Sequence, residues 1–73
     1  MNWQTPDEVK ALIEAAGGPT ELARRMGFDK HTGRQRVAMW KMSGRIPEMV
    51  VKAYRPMFKR IMARAEAQKK EAA

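Results

Sequence analysis

Apolar side chains recur along this chain at helical spacing, and nowhere do they keep the two-residue rhythm of a strand. Val9, Leu12, Ile13 and Ala16 fall at i, i+3, i+4 and i+7, which is one face of a helix. Thr5-Pro6-Asp7-Glu8 supplies its start, with a capping threonine, proline at the first helical position and a glutamate that can reach back to the cap. Gly17-Gly18 supplies its end. A second, short helix opens at Pro19-Thr20-Glu21, presents Leu22, Ala23 and Met26, and stops at Gly27. Phe28-Asp29-Lys30-His31-Thr32-Gly33 then reads as a polar turn anchored by Phe28. A third helix is predicted from about Gly33 to Met42, ended by Ser43-Gly44.

Ile46-Pro47-Glu48 repeats the start signal, and a fourth helix carries Met49, Val50 and Tyr54. Pro56 is expected to break or kink it, because proline lacks an N–H and its ring clashes with the preceding turn. From Met57 the pattern resumes: Phe58, Ile61, Met62 and Ala65 are apolar, with Lys59, Arg60 and Arg64 between them. The chain is therefore predicted to be all-α, a compact bundle of four to five short helices with an extended turn before the third. Residues 1–66 form one domain in this reading, and residues 67–73 a frayed charged tail.

Composition narrows the function. A chain of 73 residues has room for one small domain, whose core would gain from a dimer interface. There is no cysteine and His31 is the sole histidine, so neither disulfides nor a metal site is expected, and no cofactor. No apolar run approaches the ~20 residues that span a bilayer, and Met1 to Glu8 lacks the apolar stretch of a signal peptide. The expected location is the cytoplasm. With one histidine, no clustered carboxylates and no phosphate-cradling glycine loop, catalysis is not expected, nor a small-molecule substrate.

The charge is informative because it is uneven. Of the net +7, residues 1–29 hold three basic and five acidic side chains, and residues 30–73 hold twelve basic and three acidic. A chain that is −2 in one part and +9 in the other points its later part at a polyanion.

The decisive pattern lies in residues 19–47. Gly18-Pro19-Thr20-Glu21-Leu22-Ala23-Arg24-Arg25-Met26-Gly27 is followed by Val37-x-x-Trp40-Lys41 and by Gly44-Arg45-Ile46-Pro47. This spaced combination resembles the Cro-like phage repressors, over roughly residues 9–54. The resemblance implies a helix-turn-helix fold, double-stranded DNA as partner, and transcriptional repression of phage genes, often including the repressor's own promoter. Here Gly27 to Val37 spans ten positions, about four more than such proteins usually have, hence the extended turn.

Helical geometry gives its own reading of the third helix. Val37 and Trp40 share a side and are expected to pack inward. The opposite face shows Gln35, Ala38, Met39 and Met42, flanked by Arg34 and Arg36. Arginine can bridge guanine O6 and N7, glutamine can pair with adenine, and small or apolar groups can meet thymine methyls. Arg34, Gln35, Ala38 and Met39 are the expected base contacts, as the resemblance also implies. Met39 and Met42 fit core or a protein contact equally well, and His31 reads as a turn residue or a phosphate contact. Thr20, Lys30, Arg36, Lys41, Arg45 and Lys52 are the expected backbone contacts.

Met57, Phe58, Ile61, Met62 and Ala65 form the expected dimer interface, in a mixed role with Met57, Phe58 and Ile61 turned inward and the more distal positions at the contact. A two-fold homodimer would read half-sites ~34 Å apart on a palindromic operator. Two other functions compete: a protein-interaction module such as an antitoxin or adaptor, and non-specific nucleic-acid binding.

Overall fold

The computed structural model describes the backbone of residues 2–72, and their side chains except those of Lys30 and residues 69–72. Four helices follow in order: α1 Pro6–Ala16, α2 Pro19–Arg25, α3 Lys30–Ser43 and α4 Glu48–Ala72. No strand occurs among the described residues.

α1 is the hub, packing against each of the other three helices, while α2 also packs against α3. Its four periodic residues are all buried, as their spacing predicts. Its cap is reciprocal. The Glu8 N–H donates to Thr5 Oγ1 at 3.3 Å, and the Thr5 hydroxyl donates to Glu8 Oε1 at 3.0 Å. Burial pushes the Glu8 carboxyl up, but hydrogen bonds from Thr5 and from the backbone of Asn2, Trp3 and Gln4 outweigh it and hold the group below its ordinary value.

The largest fully buried side chain comes from a segment that looks polar. Trp3 is only 1 % exposed and stands edge-on to Phe58, ring centroids 5.1 Å apart. The Ile46 N–H donates to the Trp3 carbonyl at 3.0 Å, and Gln4 Nε2 donates to the Ile46 carbonyl at 2.8 Å. The N-terminal segment is thus clasped to the α3–α4 connection. The Trp3 indole N–H is buried without a hydrogen-bond partner.

Two expectations need correction. The turn before α3 is not extended. α3 begins at Lys30, three residues before Gly33, so Met26 to Asp29 is all that joins it to α2. Asp29 is its cap residue: its carbonyl accepts from the Gly33 N–H at 2.8 Å, and its carboxylate from the Thr32 hydroxyl at 3.1 Å. Gly33 is there for close approach, not for a turn. A Cβ on it would stand 2.5 Å from Phe28 Cβ and 3.0 Å from Ala23 Cβ.

The second correction is at Pro56, which does not end a helix. α4 runs unbroken for 25 residues, so the four to five helices expected are four, and the backbone of 67–72 continues the last of them. Lys52, whose carbonyl loses its partner at Pro56, is exposed, as is Pro56, so water can satisfy that carbonyl. Val51 before the proline and Phe58 and Ile61 after it are buried in one core, which anchors both halves. Tyr54 ties α4 to the end of α2, its hydroxyl donating to the Met26 carbonyl at 3.2 Å.

Candidate nucleic-acid interface

Once α3 starts at Lys30, its geometry is simple. Gly33, Val37 and Trp40 are buried and define the inward side. The outward side carries His31, Gln35, Met39 and Met42, with Ala38 half-buried among them. Met39 and Met42 are 67 % and 88 % exposed, so neither belongs to the core. Trp40 does, as expected, at 7 % exposure. The sequence of α3 contains Lys30, Arg34, Arg36 and Lys41 and no acidic residue. Gly44 ends the helix in a left-handed conformation (φ 77°), and a Cβ there would meet Pro6 Cγ at 2.6 Å.

The four expected base-contact residues fall into two groups. Arg34, Gln35 and Ala38 line one shallow depression together with Thr20 from the start of α2 and His31. Met39 lies apart, in a groove on the other flank of α3 that it shares with Arg36, Trp40 and Arg45. Arg36 also covers the Phe28 ring, its guanidinium carbon 5.3 Å from the ring centroid. This contact orients Arg36 without using its charge on an acid.

The expected backbone contacts are similarly divided. Thr20 and Arg45 border the two depressions just described. Lys41 is exposed on α3. Lys52 is on α4 and faces Glu48 at 4.0 Å, so its charge is partly answered within the chain. The Lys30 side chain lies outside the described residues.

His31, read from the sequence as a turn residue or a phosphate contact, is not in a turn: it sits at the start of α3 on the outward face. The signal was Asp29 three residues before Thr32, a helix start masked by the glycine that follows.

The expected dimer stripe is largely consumed by the protomer itself. Phe58 and Ile61 are 0 % and 4 % exposed and belong to the core, so they cannot serve as interface. Met57 and Met62 are half-buried against that core, and Ala65 is half-buried on α4. Trp3 contributes to this burial, its ring standing edge-on to Phe58.

Among the described residues no group of three histidine or carboxylate side chains is placed to hold a metal ion. None of the described helices is long and apolar enough to cross a membrane. Compared with known proteins, the chain matches no protein-family model, no curated protein and no solved structure.

Proposed function

We propose that this chain is a sequence-specific double-stranded DNA-binding protein that inserts α3 into the major groove and acts as a transcriptional repressor. One observation carries the reading. The outward face of an acid-free helix brings Arg34 and Gln35, two side chains able to read base edges, beside Thr20 of the preceding helix. A groove ~12 Å wide admits a helix whose central position is as small as Ala38. Arg34 and Gln35 read bases, His31 and Thr20 meet the adjoining backbone, and Arg36 and Arg45 line the other strand's side. Repression in this reading needs no chemistry, only occupation of the operator.

A homodimer on a palindromic site belongs to the proposal. With Phe58 and Ile61 internal, Met62 and Ala65 are what remain of the stripe for a two-fold contact. The rival reading as a protein-interaction module has the exposed Met42 and Met49 in its favour, 88 % and 84 % exposed.

The test is selection from random duplex DNA, followed by a salt titration on the recovered sequence. An enriched palindrome with half-sites one turn apart supports a dimeric repressor. Salt-sensitive binding without enrichment overturns the role of α3 in reading sequence and leaves a non-specific DNA-binding protein. No binding at all favours the interaction module.

A further inference from the structure

The later half of α4 forms a second basic site with α2. Arg60 and Arg64 lie one turn apart on α4, and Arg24 and Arg25 end α2. All four are exposed, and they rim one depression floored by Met57 and Ile61. Arginines at least 35 residues apart in the chain thus converge their charges on one spot. Glu66, two residues from Arg64, lies ~160° around α4 from it, and Glu21 is already taken: Arg24 hydrogen-bonds its carboxylate. That bond, against slight desolvation and with the charges of Arg24 and Arg25, holds the Glu21 carboxyl below its ordinary value. Among the described residues Arg25, Arg60 and Arg64 make no ion pair.

This site is continuous with the α3 face. Thr20 borders the depression holding Arg34 and Gln35, and also the next one, which it shares with Ala23, Arg24 and Phe28. Arg24 in turn borders the arginine-rimmed depression. A track of concave surface therefore leads from α3 across α2 to α4, positive at both ends. An evenly charged polyanion suits such a track better than a short acidic peptide, which would engage one end alone.

We propose that the DNA backbone follows this track, and that Arg25, Arg60 and Arg64 hold phosphates flanking the segment read by α3. The inference rests on the DNA-binding reading above. It assigns α4 a part in affinity and none in sequence choice, because guanidinium–phosphate contacts position a duplex without reading it.

The test compares the intact chain with Arg60→Ala/Arg64→Ala on a long duplex carrying the selected sequence, on a random long duplex, and on a short duplex ending at the selected sequence. The expected result is weaker binding to both long duplexes by the same factor. The slope of log affinity against log salt becomes shallower by about two. On the short duplex the two proteins bind alike. Arg60→Lys/Arg64→Lys restores the slope, which a merely structural role would not require. If the intact chain binds DNA and the alanine variant shows the same affinity and slope on long duplex, the inference is overturned and an acidic protein partner becomes the better occupant. If the intact chain binds no DNA, both readings fall together. A loss confined to the selected sequence also overturns it, since that would make these arginines readers of bases.

Discussion

Single residues carry both the fold and the outward face of α3. Gly33 is the sharpest case. In an exposed helix interior, replacing glycine with alanine stabilises by ~0.5–1 kcal/mol. Here the added methyl would collide with Phe28 and Ala23, so Gly33→Ala is expected to destabilise by ~1–3 kcal/mol. The sign of the change, read from urea unfolding, decides whether close α2–α3 contact is the reason for the glycine. Glu8 makes a prediction in pH. Its carboxyl is depressed in the folded chain, so its contribution is present above the ordinary carboxylate value and lost as pH falls through the folded one. The stability gap between the natural chain and Glu8→Gln should therefore be open at neutral pH and close in acid. On the face proposed to read DNA, Arg34→Ala and Gln35→Ala should each cost ~1–3 kcal/mol on the selected duplex and little on random DNA, measured by titration. The outward placement of these two residues was legible from helical spacing. Trp3 was not, because one aromatic in a polar segment has no period to announce its burial.

At the scale of elements, most of the fold was written in the chain. The period of α1, its cap, and the paired glycines after it predict the helix that forms. α2 likewise starts at its proline and ends before Gly27. Sequence failed at glycine and proline, whose local preferences packing overrode. Gly33 reads as a turn residue, yet contact with α2 places it inside α3. Pro56 reads as a break, yet burial on both sides of it carries α4 through. That last point is testable. Pro56→Ala restores the missing N–H at an exposed position, and the gain exceeds the added freedom of the unfolded chain. A net stabilisation of about 1–2 kcal/mol is expected from thermal or urea unfolding, with unchanged DNA affinity. A loss of stability would mean that the proline sets a bend on which the packing of α4 depends.

For the whole molecule, the uneven charge becomes a spatial one. α1 carries Asp7, Glu8 and Glu14 and packs on the inward side of α3. The basic residues gather on the outward side of α3 and along α4. This segregation was legible as two numbers in the sequence, but the meeting of Arg24 and Arg25 with Arg60 and Arg64 was not, since it depends on how α2 and α4 face each other. The same geometry constrains assembly. At about 100° per residue, Met62 lies ~140° around α4 from Met57, on the flank away from Arg60 and Arg64. A two-fold mate at Met62 therefore leaves the arginines open, and Met62→Lys should shift the mass in sedimentation from dimer to monomer while sparing the fold. The two tryptophans, finally, sit at opposite duties. Trp3 closes the N-terminal clasp, and Trp40 borders the groove with Arg36 and Met39. The molecule thus carries two intrinsic fluorophores with separate assignments: Trp3→Phe leaves an emission that reports on the side proposed to face DNA, and Trp40→Phe leaves one that reports on whether the chain is folded.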